Sequence, residues 1–158
     1  MAQTTGATTQ ASFQIEVSTD GSSWTDISGS ANNVEISDGE QMIGETFTAD
    51  GSVPVVVGSN KTGSVKIKVS ALYTNTALEA WAVVYARFIG TAKTIAVRYS
   101  PKGSASANKR YVTSTNANAV QLAPIISCLP PNVDASTGDP AMLEFSVQTS
   151  KLYEEAIP

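Results

Sequence analysis

Alternating apolar and polar residues run through most of this chain and predict β-strands. The pattern is clearest in "SVKIKVSAL", where Val65, Ile67 and Val69 share one parity and Lys66 and Lys68 the other. Because successive side chains of a strand point to opposite faces, such a segment offers one apolar face to a core. The alternation and its apolar runs predict strands near 13–18, 33–37, 42–48, 52–57, 64–72, 94–100, 109–114, 118–128 and 142–151.

Turn signals separate these segments and favour an antiparallel β-sandwich or barrel. They recur at Asp20-Gly21, Asp38-Gly39, Asp50-Gly51 and Lys102-Gly103. Many short strands joined by regular turns are typical of that mainly β fold class. The predicted core takes the apolar parity of each element: Phe13, Ile15, Val65, Ile67, Val69, Trp81, Phe88, Ile95, Val97, Phe145 and Val147.

One segment, "TNTALEAWAVVYARFIG", changes from a period of two to the helical period. Thr76 and Glu79 have the spacing of a capping box, and Gly90 can end the helix. The pattern predicts a single flanking α-helix over about 76–89, whose apolar face lies on the sheet. The large apolar residues of that face are spaced three or four apart: Leu78, Trp81, Tyr85 and Phe88.

A second distinctive segment is "DGEQMIGETFTADGSVPVVVGSNK", which has two strand-like arms around Asp50-Gly51. The arms either complete the main sheet or form a long projecting hairpin over about 40–60. A projecting Val-rich edge is an aggregation hazard in a monomer, so such an edge is usually covered by a partner molecule. The candidate interface residues between subunits or rings are Met42, Ile43, Phe47, Val53, Val55 and Val57.

Length and composition indicate one domain over residues 12–158, preceded by a flexible N-terminal arm over 1–11. The chain has 158 residues and is 42% apolar, which suffices for a core without disulfides or metal. Residues 1–11 lack periodicity and have none of the basic and apolar regions of a signal peptide. No apolar run approaches the ~20 residues of a membrane helix. We therefore expect a protein made in, and used or assembled in, a cytoplasm.

Candidate chemistry is sparse. The sequence has no histidine, and its single cysteine, Cys128, lies in the apolar run "PIISCLPP", where a buried inert thiol is the expected state. Glu154 and Glu155 fit a solvated polar tail. Three bases in "SPKGSASANKR" are weak support for a phosphate site in a chain of pI about 4.7. We predict no catalytic residue, no cofactor, no metal site and no enzymatic activity.

The charges are unevenly distributed along the sequence. Residues 1–60 have a net charge of −8, residues 61–133 of +8, and residues 134–158 of −4. Either acidic and basic strands neutralise each other within one subunit, or oppositely charged faces attract copies head to tail.

The order of these features resembles the major tail tube proteins of long-tailed bacteriophages. The resemblance runs from about Phe13 to the end and rests on "VSTDGSSWTDISGS", the long hairpin, the single helix and the closing "PPNVDASTGDPAMLEFSVQTS". It implies a β-sandwich flanked by a helix. It also implies six subunits in a ring and rings stacked into a tube, with the hairpin and the terminal arms contacting the adjacent ring. Tube proteins of contractile tails and of type VI secretion share this fold and remain alternatives.

The resemblance implies a virion structural protein of the tail, assembled in the host bacterial cytoplasm. Its partners would be further copies of itself, other tail proteins, and double-stranded DNA that passes through the lumen without specific binding. A tube subunit needs no reactive group, which agrees with the sparse chemistry. Two alternatives remain: another all-β virion protein, such as a decoration or tail terminator protein, and a non-catalytic immunoglobulin-like or sugar-binding module.

Overall fold

A computed structural model describes residues 12–158, and the predicted arm over 1–11 lies outside the described residues. The fold is mainly β and antiparallel, as predicted. Its strands are β1 (Gln14–Ser18), β2 (Thr25–Asp26), β3 (Ala31–Asp38), β4 (Gln41–Thr46), β5 (Val55–Thr62), β6 (Val65–Leu72), β7 (Thr94–Ser100), β8 (Lys109–Ser114), β9 (Ala123–Leu129), β10 (Met142–Thr149) and β11 (Lys151–Ala156).

Two groups of strands meet at β7. One group has the order β2-β1-β7-β8-β11 and the other β9-β10-β6-β3. They are joined where Thr94 and Ile95, at the start of β7, pair with Pro124 and Ala123 of β9. The described strands thus form an open, branched sheet and do not close into a barrel.

A single core joins the two groups of strands and the helix. Phe145 of β10 is fully buried and pairs with Cys128 of β9 and Val69 of β6, both also buried. Of the predicted core, seven residues are buried: Ile15, Ile67, Val69, Ile95, Val97, Phe145 and Val147. Phe13, Trp81 and Phe88 are partly buried against it, whereas Val65 is half-buried at the start of β6.

The predicted helix is present but begins later than the sequence suggests. It consists of a π-helical stretch, Trp81–Tyr85, followed by an α-helical turn, Ala86–Ile89. Leu78 has a left-handed φ of 67° and is 68% exposed, so it belongs neither to the helix nor to its apolar face. The capping box does not form, because the Glu79 carboxylate accepts a hydrogen bond from the hydroxyl of Thr74 instead of reaching Thr76.

The aromatic part of the helix packs as predicted. The Trp81 ring stacks on Tyr85 with a centroid distance of 4.0 Å and meets the edge of Tyr73 at 5.1 Å. Val84, on the same stretch, is fully buried in the core. The aromatic side chains of the helix therefore pack against each other and against the core.

The long hairpin is also confirmed. Among the described strands, β4 and β5 pair only with each other, in a two-stranded sheet separate from the rest. The hairpin continues the β3–β6 pair past a bend, where the amide of Gly39 donates to Ser64 O at 3.0 Å and that of Gly63 to Glu40 O at 2.9 Å. Gly39 has φ +77°, and a Cβ there would lie 2.9 Å from Val65 Cγ2, so this position favours glycine.

The end of the chain differs from the prediction of a solvated polar tail. Residues 151–156 form β11, which pairs with β8 along its whole length. Glu154 and Glu155 lie opposite Tyr111 and Arg110 in that ladder. They are therefore cross-strand partners with fixed neighbours.

Candidate assembly surface

The hairpin, defined here as residues 41–62, presents apolar side chains on both of its faces. Gly44 lies opposite Val57, and Thr46 opposite Val55. Partners in an antiparallel pair share a face, so the two valines lie on one face together with the parity of Met42. Ile43, opposite Gly58, belongs to the other face. The register shifts between the Gln41–Thr62 and Ile43–Gly58 pairs, where β5 has three residues, 59–61, against the single residue Met42 of β4.

The structure brings the predicted interface residues together on this one element. Met42 and Ile43 lie on β4, Val55 and Val57 on β5, and Phe47 and Val53 in the loop that connects them. Their role in an interface remains a prediction. Val56 lies on the face of Ile43 and is 55% exposed; the Val55–Val57 run in the sequence was the available signal for it.

No part of the described chain covers these side chains. The six predicted residues are between 46% and 73% exposed: Met42, Ile43, Phe47, Val53, Val55 and Val57. An isolated two-stranded hairpin is marginally stable in water, and a contiguous apolar patch on a soluble protein usually marks an interaction surface. The hairpin is therefore the strongest candidate for a contact with another molecule.

The hairpin and its bend carry an excess of acidic residues. Asp38, Glu40, Glu45 and Asp50 are all exposed, and Lys61 is the nearby base. The four ion pairs found within residues 12–158 leave these acids out. A partner surface must tolerate or neutralise this charge.

The body of the protein neutralises much of its own charge. Arg98 makes two hydrogen bonds to Glu16, at 2.5 and 2.9 Å, and its guanidinium lies 4.2 Å from the centre of the Trp24 ring. Lys68 pairs with Glu144 at 3.0 Å. Lys109 and Arg110 pair with Glu154 and Glu155 at 3.1 and 2.5 Å.

Each of these pairs joins a base of the segment 61–133 to an acid outside that segment. The observed pairs therefore favour the intramolecular interpretation of the charge pattern. They also commit Lys109 and Arg110, two of the three bases of the β7–β8 loop region, to partners on β11.

The single thiol and the acidic side chains are the remaining candidates for chemistry within the described residues. Cys128 is buried, and burial raises the pKa of its thiol to about 11, so the thiol stays protonated at neutral pH. Within residues 12–158, no group of three or more Cys, Asp or Glu side chains is placed to hold a metal ion. In that same range, no helix has the length and apolar character needed to cross a bilayer.

No protein-family model and no curated protein matches this chain. Solved structures do match over nearly the whole chain. A chain of an extracellular contractile injection system, the PVC sheath–tube complex in the extended state, has a TM-score of 0.67 at 15% identity, covering 97% of this chain and 94% of that chain. A chain of the anti-feeding prophage cap, a tube-terminating cap, has a TM-score of 0.60 at 11% identity, with coverage of 99% and 95%.

A third match comes from the tail of an empty GTA particle, determined by helical refinement with C6 symmetry. It has a TM-score of 0.61 at 12% identity and covers 95% of this chain and 100% of that chain. At these identities the likeness concerns the fold. The chain has the fold of components of phage-like tails and contractile injection systems, which confirms the fold implied by the resemblance to tail tube proteins.

Proposed function

We propose that this protein is the tube subunit of a phage-type tail, whose copies assemble into rings that stack into a hollow tube. The observation that carries the proposal is the hairpin: it is apolar on both faces, it is not covered by residues 12–158 of its own subunit, and it is attached to a fold found in a sheath–tube complex. Both faces need a cover, and neighbouring copies in a stack supply it. The tube would serve as the conduit for DNA delivery into the host.

A ring of six subunits is the stoichiometry we propose. The GTA tail to which the chain is similar was refined with C6 symmetry, which supports this number. The branched sheet also leaves outer edges on β3 and β11 that a neighbour in a ring can pair with or cover. Within the virion tail, other tail proteins would contact the ends of the assembly, which forms in the host bacterial cytoplasm.

Double-stranded DNA would pass through this tube without specific binding. A subunit with a net charge of −4 releases few counterions from the DNA backbone, so we expect it to bind the phosphates weakly. Lys68 on β6 is already paired with Glu144 on β10, and this pairing makes the lysine a weaker contact for a phosphate. The protein would act by its shape, without a catalytic group.

A second candidate is a terminator or cap, because one of the similar structures is a tube-terminating cap. Such a protein forms a single ring that binds one tube end and stops growth. The two functions differ in the number of rings per assembly: rings of a tube protein stack on each other, whereas rings of a terminator do not.

Negative-stain microscopy of the purified chain at rising concentration tests the proposal. We expect rings at low concentration and tubes of constant diameter at high concentration. Rings that never stack would favour the terminator, and a monomer at every concentration would contradict both. Mass photometry of the ring fraction gives the subunit number against a monomer mass of 16.5 kDa.

Salt provides a further test of what drives the stacking. The body pairs many of its own charges and the hairpin is acidic and apolar, so we expect assembly to be unchanged or stronger in high salt. Screening shortens the Debye length from about 30 Å at 0.01 M to about 3 Å at 1 M. Light scattering across this range measures assembly. A loss of scattering as salt rises would show that attraction between oppositely charged faces dominates.

A further inference from the structure

The chain contains three Asp-Gly dipeptides, at Asp20-Gly21, Asp38-Gly39 and Asp50-Gly51. In such a pair the amide nitrogen of the glycine can attack the side-chain carboxyl carbon of the aspartate, because glycine has no side chain to hinder the approach. The reaction expels water and closes a five-membered succinimide ring. The ring forms only when the glycine amide leaves its hydrogen bond and the carboxyl turns toward it, so the fold decides which pair reacts.

The first pair, Asp20-Gly21, is held in a turn by hydrogen bonds to both of its members. The Asp20 carboxylate accepts hydrogen bonds from the amides of Ser23 and Ser22 at 2.7 and 2.8 Å. The Ser18 hydroxyl donates to the same carboxylate at 2.9 Å and accepts from the Gly21 amide at 2.8 Å. The amide of Ser23, followed by that of Ser22, lowers the pKa of the Asp20 carboxyl, so the protonated acid that can lose water is rare at neutral pH.

The second pair, Asp38-Gly39, belongs to the backbone pairing between β3 and β6. Asp38 is the register partner of Val65, and the Gly39 amide donates to Ser64 O at 3.0 Å. Closing a succinimide here would require this amide to leave the pairing of the two strands. The second pair is therefore protected by the main sheet.

The third pair, Asp50-Gly51, lies in the loop at the tip of the hairpin, where residues 47–53 are all exposed. The Gly51 amide donates to Thr48 O at 3.1 Å, a bond within the same exposed turn. The side-chain hydrogen bonds of the hairpin lie nearer its base, between Gln41 and Ser59 and within residues 59–61. None of the four ion pairs found within residues 12–158 includes Asp50. Exposed loops of this kind open locally at a small cost in free energy.

We propose that Asp50 is a site of spontaneous isoaspartate formation, from which the fold protects Asp20 and Asp38. The Gly51 nitrogen forms a bond to the side-chain carboxyl carbon of Asp50, and the carboxyl OH leaves with the amide proton as water. Water then adds back to the ring. Opening at the main-chain carbonyl links the two residues through the side chain, whereas opening at the side-chain carbonyl restores aspartate. The mass of the chain is unchanged, and no oxidant or co-reactant takes part.

This modification would alter the turn that connects β4 and β5. An isoaspartyl link inserts one extra carbon atom into the backbone and moves the carboxylate to a shorter branch. Phe47 and Val53, two of the candidate interface residues, lie in the same loop. A subunit that stays unassembled would therefore lose the native geometry of this loop with age.

Peptide mapping of the full chain tests the inference after a long incubation at neutral pH, at a concentration below that of assembly. Cleavage after glutamate places the three pairs in separate peptides, 17–35, 36–40 and 46–79. Isoaspartate in each peptide is measured by enzymatic methylation of the isoaspartyl carboxylate. We expect about tenfold more at Asp50 than at Asp20 or Asp38, which corresponds to about 1.4 kcal/mol in the free energy of local opening. The same chain incubated in urea is the control, and there the three sites should react at similar rates.

Three variants separate the effect of the fold from that of the sequence. Asp50→Glu keeps the charge but would need a six-membered ring, which closes far more slowly, so it should remove most of the isoaspartate. Asp38→Glu is the same change at a protected site and should leave the total unchanged. Ser18→Ala removes the hydroxyl that binds both members of the first pair, so it should raise isoaspartate at Asp20 alone.

Equal isoaspartate at the three sites of the folded chain, or more at Asp20 or Asp38 than at Asp50, would overturn the inference. An unchanged total in Asp50→Glu would overturn it as well. All of these measurements are made on unassembled subunits, so their outcome is independent of the proposed tube function.

Discussion

Replacing residues 42–57 with a short Gly-Ser turn is expected to leave a folded, soluble subunit that forms no long tubes. Within residues 12–158, β4 and β5 pair only with each other, and the core cluster contains none of their residues. Removing them therefore takes nothing from the core, and closing a short loop at the end of the β3–β6 pair has a small entropic cost. The same change removes both apolar faces of the proposed stacking contact.

Circular dichroism and thermal unfolding measure the fold of this variant, and negative-stain microscopy measures its assembly. Hydrogen exchange on the wild-type monomer adds an independent check. Amides of the hairpin should exchange rapidly, whereas those of β6 stay protected, because β6 lies between β3 and β10. An unfolded variant would mean that the hairpin stabilises the core sheet. A folded variant that polymerises normally would move the stacking contact to other surfaces, including the chain ends.

Phe145→Ala is expected to destabilise the subunit by about 3–5 kcal/mol, which is the range for removing a buried aromatic side chain. Phe145 is fully buried between Val69 and Cys128, in the strand group β9-β10-β6-β3. A loss of this size is a large part of the stability of a domain. Urea denaturation of the monomer followed by tryptophan fluorescence measures it.

Phe47→Ala is the matched control, since it removes the same side chain from a site that is 60% exposed. It should change the free energy of unfolding by no more than about 0.5 kcal/mol, the usual surface value. Phe47→Ala should nevertheless weaken tube formation. At the same concentration, those Phe145→Ala monomers that remain folded should still associate. Equal destabilisation by the two substitutions would show that the hairpin loop packs on the body in solution.

The strands that the sequence predicts well each bury one face. β1, β6, β7 and β10 have apolar residues at alternate positions, and those residues are the ones found in the core. Such a pattern is local, so it can be read from the residues alone. The hairpin was also predictable, because its two strand-like arms are adjacent in the sequence and are separated by the turn signal Asp50-Gly51.

The errors have two sources, a competing local side-chain contact and contacts between distant residues. The predicted capping box at Thr76 does not form, because the hydroxyl of Thr74 donates a hydrogen bond to the Glu79 carboxylate and Leu78 adopts a left-handed conformation. β11 was missed because Glu154 and Glu155 look like a solvated run until Lys109 and Arg110, more than 40 residues earlier, lie beside them. The face on which each hairpin residue lies depends on a register shift in β5 that no local signal gives.

The continuity of the hairpin with β3 and β6 has a mechanical consequence. A pull along a stack of subunits would enter each one through β4 and β5 and pass at the Gly39–Gly63 bend into β3 and β6. Backbone hydrogen bonds of an antiparallel pair are perpendicular to its strands, so tension that draws β3 and β6 in the same direction loads the bonds between β6 and β10 as shear, all at once. Tearing the hairpin out of its own subunit would require breaking that whole ladder, and an overstretched tube should therefore part between subunits while each subunit remains folded.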